Sequence, residues 1–263
     1  YNSFFYFVMP MTLSCIIFTC IFGGVVSFVF ALMFLKYANS SLLNHMVSLA
    51  VGTLLGAAFL EIIPHAFELS NDVHQVTFVV LIGILILFIL EKLLIWRHCH
   101  GIHCEAHSAE SHFEMNNKGS FVLIGDLFHN FVDGVLIASA FLVNINLGLV
   151  TALAIIAHEI PQEVSNISIL VNSGFSKVKA LSFNVIASIT MVIGGILAFF
   201  VLDTLRSLIP IILAFAASTM LYVAVSDLIP DLHKKTAIRD SLMQVLLISS
   251  GVIIIYIIHS FLH

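Results

Sequence analysis

Residues 120–143 read SFVLIGDLFHNFVDGVLIASAFLV, an apolar run that is interrupted near its centre by two acids, an imidazole and an amide. A hydrocarbon core of about 30 Å is crossed by about 20 helical residues, so this run is long enough to span a bilayer. Its polar members, Asp126, His129, Asn130 and Asp133, follow the spacing i, i+3, i+4 and i+7. That spacing puts them on one face of a helix. The run therefore predicts a membrane helix with a strongly polar face at mid-depth.

The rest of the chain has the composition of an integral membrane protein. Of its 263 residues, 60% are hydrophobic and only 10% are charged, whereas soluble domains carry about 25% charged residues. We predict an all-α membrane protein in which residues 1–263 form a single domain with eight transmembrane helices, called spans 1 to 8. Their predicted ranges are 12–35, 42–69, 75–96, 120–143, 147–171, 180–202, 208–230 and 240–262. No basic stripe is present that could follow the phosphates of a nucleic acid.

The basic residues indicate how these spans are oriented. With the N-terminus outside, nine of the ten Lys and Arg residues fall in connections on the inner side, and Arg206 alone falls outside. Because cytoplasmic connections carry the excess of Lys and Arg, we predict that both termini lie on the outer side.

A second polar face lies in span 5, where residues 158–163 read HEIPQE. One broad face of that helix carries His158, Glu159, Gln162, Glu163 and Asn166, and the first four lie near its centre, as His129 does in span 4. Ionised groups at mid-bilayer cost at least about 2.5 kcal/mol each, and neither span contains a Lys or Arg to neutralise them. A captured cation is the simplest source of positive charge. Protonated acids bonded to one another, or a water-filled cavity, remain the alternative.

The ligand types narrow the choice of cation. Imidazole together with carboxylate suits Zn²⁺, Fe²⁺, Mn²⁺ or Cd²⁺, and the absence of Cys and Met from both faces argues against cuprous copper. Magnesium and calcium prefer oxygen ligands and do not need two histidines. A captured ion of this kind favours a metal-ion transporter, and affinity alone does not separate zinc from iron.

Two other functions could use the same residues. An intramembrane zinc hydrolase would activate a metal-bound water, with Glu159 or Glu163 as general base. A proton-conducting or receptor-like protein would use the polar faces as a relay. The segment HEIPQ is close to the H-E-x-x-H protease motif, but Gln162 replaces the second histidine and Pro161 lies inside the repeat.

Residues 125–134 and 158–163 together resemble the paired signatures of the Zrt/Irt-like (ZIP) metal transporters. The resemblance extends to residues 60–64 in span 2 and to residues 221–224 and 227–230 in span 7. It implies a transporter with eight spans, forming a homodimer, in which spans 1, 4, 5 and 6 slide against spans 2, 3, 7 and 8.

The resemblance also implies a centre with two metal positions. His129, His158 and Gln162 would surround one position, Asn130 and Glu159 would flank the second, and Asp133 would lie between them. Asn184 of span 6 stands where some members supply another oxygen ligand, and Glu163 shares the polar face. Gln162 is a departure, because the family usually has His or Glu there, and a neutral amide is a weaker ligand.

Outside the centre, the connection at about 97–119 is predicted to be a cytoplasmic, His-rich loop that accepts zinc transiently. Its candidate ligands are His98, Cys99, His100, His103, Cys104, His107 and His112. Glu61, His65 and Glu68 in span 2 form either an acidic entrance or an ordinary interfacial group. The compact sequence, without a large outer domain, favours a bacterial inner membrane as the location, and we expect zinc uptake into the cytoplasm.

Overall fold

The structure is a computed structural model that describes residues 2–37, 40–70, 72–99, 111–233 and 237–262. Within these ranges every regular element is helical and no strand occurs, which confirms the all-α prediction. In this described part of the chain, eight helices are long and apolar enough to cross a membrane. Their apolar side chains, such as Phe18, Phe78 and Phe261, are widely exposed, as expected for surfaces that face lipid.

The eight spans agree with the predicted ranges to within a few residues at most ends. Spans 1, 3, 5, 6 and 8 are the helices Asn2–Tyr37, Val73–Cys99, Ile145–Asn172, Lys177–Thr204 and Ile238–Leu262. Span 4 is the helix Ser111–Val143, which begins nine residues before the predicted start. The connection between spans 3 and 4 is therefore shorter than predicted, and most of the candidate ligands in the His-rich loop lie outside the described residues.

Spans 2 and 7 are each divided by a π-helical segment. Span 2 consists of Ser40–Ala57, the π segment Ala58–Ile62 and Ile63–Ser70; span 7 consists of Ile209–Tyr222, the π segment Val223–Leu228 and Ile229–His233. A proline follows each π segment by two residues, Pro64 in span 2 and Pro230 in span 7. Proline cannot donate to the carbonyl four residues before it, and its ring crowds that carbonyl. The wider turn is a local way to accommodate both effects.

The spans pack into two groups. Spans 1, 4, 5 and 6 contact one another extensively, and span 2 packs closely on span 8 as span 3 does on span 7. Between the groups, the main contact is that of span 2 with span 5. The sliding of one group against the other, which the family resemblance implies, stays a prediction.

Spans 4 and 6 approach each other backbone to backbone. A methyl group on Gly134 of span 4 would overlap the carbonyl of Met191, and one on Gly194 of span 6 would overlap the carbonyl of Phe131. Small residues allow this separation, which is common where membrane helices pack tightly. The helix that carries His129 and Asp133 is thereby fixed against span 6.

Candidate metal centre

A tight turn brings the polar faces of spans 4 and 5 to the same depth. Span 4 ends at Val143 and span 5 begins at Ile145, with Asn144 between them accepting a hydrogen bond from the backbone N–H of Leu147. His129 lies fifteen residues before Asn144 and His158 lies fourteen residues after it. At 1.5 Å per residue, both lie about 22 Å along their helices from the turn. The antiparallel hairpin therefore places the two histidines opposite each other.

Three ligand atoms from these spans form a nearly equilateral triangle. Nε2 of His129 lies 3.1 Å from Nε2 of His158, and each of these nitrogens lies 3.4 Å from Oδ2 of Asp133. Glu159 lies beside them, because one ligand atom from each of the four residues falls within 4.8 Å of the others. The structure thus brings together two imidazoles and two carboxylates.

The triangle has the dimensions of one face of a zinc site. Bonds of about 2.0–2.1 Å to nitrogen and oxygen in a tetrahedral arrangement separate neighbouring ligand atoms by about 3.3–3.4 Å. The circle through the three atoms has a radius of about 1.9 Å, so an ion with such bonds lies just above their plane. The three side chains therefore match the size of a small dication.

A hydrogen bond to the backbone determines which ring nitrogen of His158 is available to bind a metal ion. Its Nδ1 lies 3.2 Å from the carbonyl oxygen of Ala154, one turn back on span 5. A carbonyl can only accept, so Nδ1 carries a proton, and in the neutral ring Nε2 carries the lone pair that a metal ion would bind. In metal-binding histidines, the ring nitrogen that does not bind the metal usually donates such a hydrogen bond.

Several buried oxygens on spans 4, 5 and 6 have no hydrogen-bond partner among the described residues. They are Asp133 Oδ2, Asn130 Oδ1, Glu159 Oε1 and Asn184 Oδ1, and all four residues are almost fully buried. An unpaired buried polar group costs about 1–3 kcal/mol, and more when it is charged. A bound cation would satisfy such oxygens, because each offers a lone pair.

A polar network continues from the centre on the same faces of spans 4 and 5. Asn166 Nδ2 donates to Asp126 Oδ1 over 2.8 Å, and Asn130 Nδ2 lies 3.4 Å from both Asp126 Oδ1 and Glu163 Oε1. The helical spacing of Asp126 and Asn166 indicated that they share these faces. It did not indicate that they pair across spans, because that contact depends on how the two helices are rotated against each other.

The remaining predicted ligands are Gln162, Glu163 and Asn184, for which the structure gives the burial of the side chains. Gln162 is half-buried one turn after His158 on span 5, and Glu163 and Asn184 are buried. Their coordination of a metal stays a prediction. Pro161 lies inside span 5, where it leaves the carbonyl of Ala157 without its usual helical donor.

The predicted entrance residues of span 2 have different partners. Glu61 is buried in the π segment, and its Oε1 lies 2.8 Å from Nδ1 of His259 in span 8. His65 Nδ1 donates to the backbone carbonyl of Glu61 over 2.8 Å. Sequence patterns missed His259, because its proximity to Glu61 is set by the packing of span 8 on span 2.

Known proteins of one family resemble the chain over most of its length. The profile of the family described as ZIP zinc transporter matches residues 9–116 and 97–259. The zinc transporter zipt-7.1 of Caenorhabditis briggsae is 27% identical over 85% of this chain and 72% of its own length. The zinc transporter ZIP13 of Mus musculus is 28% identical over 83% of this chain and 70% of its own. The zinc transporter YKE4 of Saccharomyces cerevisiae is 24% identical over 77% and 64%.

These matches agree with the eight apolar helices, and they give no support to the hydrolase interpretation, because the relatives are transporters. The chain is an integral membrane protein that belongs to the ZIP family of divalent-metal transporters, whose characteristic substrate is zinc.

Proposed function

We propose that this chain carries zinc across the membrane through a site formed by His129, Asp133, His158 and Glu159. The observation that supports this proposal is the triangle of two imidazole nitrogens and one carboxylate oxygen with edges of 3.1, 3.4 and 3.4 Å. It lies about midway along two adjacent membrane helices. The same ligands also accept Fe²⁺, Mn²⁺ or Cd²⁺, and the zinc transporters among the relatives favour zinc.

The neighbouring side chains extend the site. We propose that Gln162 completes the position held by the two histidines, and that Asn130 and Glu159 flank a second position with Asp133 between them. Support comes from the buried, unpartnered oxygens of Asn130, Glu159 and Asp133 within the described part of the chain. Glu163 and Asn184 are proposed as further oxygen ligands at the edge of this centre.

The proposed direction is uptake into the cytoplasm. The basic residues support the orientation of the chain, because nine of ten lie on one side if the eight spans alternate, with both termini outside. His129 is the most accessible of the four ligands, with 22% of its side chain exposed against 3% for His158 and Asp133. We propose that an ion enters the cluster past His129.

Release requires that the site change its access. The division into two packing groups supports a movement in which spans 1, 4, 5 and 6 shift together against the others. Ligands such as Asn130 and Gln162, being neutral, favour exchange over permanent binding. We propose that the His-rich connection receives the released ion.

We also propose a homodimer. Spans 3 and 8 are the least buried of the eight, so they offer faces for a second copy. A bacterial inner membrane stays a prediction, and the relatives named above come from nematode, mouse and yeast.

Uptake of radiolabelled zinc into proteoliposomes tests the site. His129→Ala and Glu159→Ala should abolish accumulation, because each removes a ligand of the central cluster. His45→Ala is the matched control, since His45 is an exposed histidine of span 2 that is not part of that cluster. Full uptake by both ligand variants would defeat the assignment.

A further inference from the structure

The side-chain amide of Asn130 has its nitrogen surrounded by acceptors. Asn130 Nδ2 lies 3.3 Å from the backbone carbonyl of Asp126, 3.4 Å from Asp126 Oδ1 and 3.4 Å from Glu163 Oε1. The backbone carbonyl can only accept a hydrogen bond, and the two carboxyl oxygens accept when the acids are ionised. The NH₂ group therefore faces them, since the amide oxygen in its place would meet the lone pairs of the carbonyl and of the ionised acids.

This orientation determines what the other end of the amide presents. Asn130 is fully buried, and its Oδ1 has no hydrogen-bond partner among the described residues. Only the oxygen of an amide can bind a cation, because its NH₂ group carries partial positive charge. An inverted amide would turn a weak ligand into a repulsive group.

Asp126 is itself held from the other helix. Asn166 of span 5 donates to Asp126 Oδ1 over 2.8 Å, which is the shortest hydrogen bond of this network. Asp126 is buried, and it is not one of the four residues whose ligand atoms cluster around the triangle. Its carboxylate is thus fixed one helical turn from Asn130 and outside the central group.

We propose that Asp126 is a positioning residue, held by Asn166, which keeps the amide oxygen of Asn130 available to the metal. This inference rests on the proposed function, because it takes Asn130 to be a ligand. Glu163 supports the same orientation as a second acceptor. Partners of this kind behind a metal ligand typically change affinity by 10–100-fold when they are removed.

A double-mutant cycle tests the proposal by making the orientation irrelevant. Asn130→Asp places an oxygen at both branches of the side chain, so no partner is needed to choose between them. Asp126→Asn alone should weaken zinc binding by about tenfold, and the same change in the Asn130→Asp background should weaken it far less. The double variant also keeps the net charge of the wild type.

Zinc affinity of the purified protein is the readout, with KM and maximal rate of uptake measured in parallel. The wild type, the two single variants and the double variant are compared, and only those that elute as folded protein are scored. For Asp126→Asn, KM for zinc should rise about tenfold while the maximal rate of uptake stays nearly unchanged. Asn166→Ala should shift the affinity in the same direction by a smaller factor, since Asp126 remains.

Two outcomes overturn the proposal. An unchanged affinity in Asp126→Asn excludes a positioning effect, and equal losses in both backgrounds indicate that Asp126 contacts the ion directly. His129→Ala separates this failure from failure of the site itself. If His129→Ala binds zinc as the wild type does, the whole centre is rejected. If His129→Ala loses zinc binding, but Asp126→Asn weakens binding equally in both backgrounds, only the positioning effect of Asp126 is rejected.

Discussion

The Nε2 atoms of His129 and His158 lie 3.1 Å apart, although the two residues are on different helices and 29 positions apart in the chain. Their rings meet edge to face at 82°, with Asp133 Oδ2 at 3.4 Å from both nitrogens. Because Nδ1 of His158 donates a hydrogen bond to the carbonyl of Ala154, the Nε2 atom of the neutral ring carries a lone pair. A cation between the two Nε2 atoms would be bound by both imidazoles.

Replacing one imidazole by a thiolate should change which metal is preferred. His129→Cys keeps a ligand at the most accessible corner of the triangle but makes it softer. We expect the ratio of cadmium to zinc uptake to rise, since cadmium favours sulfur more than zinc does. Competition between the two ions in proteoliposomes measures the ratio. His45→Cys should leave it unchanged, and an unchanged ratio in His129→Cys would place the metal elsewhere.

Zinc binding should weaken in acid. Imidazoles and carboxylates bind a metal only in their deprotonated forms, so protons compete with zinc at His129, His158, Asp133 and Glu159. The affinity for zinc should therefore fall as the pH falls from 8 to 5. Titration of the purified protein with zinc at several pH values measures this. Affinity that stays flat over that range would contradict competition at these ligands.

Gln162→His should strengthen the site at the expense of turnover. Gln162 is half-buried one helical turn after His158, and a neutral amide is a weaker zinc ligand than an imidazole. We expect KM for zinc to decrease and the maximal rate to fall, because an additional strong ligand slows release. Initial rates over a range of zinc concentrations show both. Unchanged kinetics would mean that Gln162 does not face the ion.

Gly134→Ala should separate spans 4 and 6. The added methyl group overlaps the carbonyl of Met191, and overpacking of this kind costs about 1–3 kcal/mol. Thermal unfolding in detergent should show a lower midpoint and uptake should fall. Gly125→Ala on the same helix is the control, because a methyl group there meets open space. Equal behaviour of the two variants would argue against tight packing at Gly134.

Much of the fold follows from the sequence for a simple reason. Long apolar runs can satisfy their backbone in a bilayer only as helices, so the runs between turn residues identify the spans. The position of His129 and His158 opposite each other also follows, because each lies near the centre of its run. Helical spacing alone places Asp126, Asn130 and Asp133 on one face.

Other features depend on contacts that no local pattern records. The π segments at Ala58–Ile62 and Val223–Leu228 were not predicted, although each precedes a proline. The pairs Asn166–Asp126 and His259–Glu61 join residues 40 and 198 positions apart. Such pairs depend on how each helix is rotated and how far it is shifted along its neighbour.

X-ray absorption at the zinc edge tests the central claim most directly. The purified protein is loaded with zinc after Cys99, Cys104 and the histidines of the adjacent connection are replaced by serine, so that only the membrane site contributes. We predict nitrogen and oxygen ligands at about 2.0–2.1 Å with scattering from two imidazoles, falling to one in His129→Ala. A spectrum without imidazole scattering, or one that His129→Ala leaves unchanged, would contradict a zinc ion held between His129 and His158.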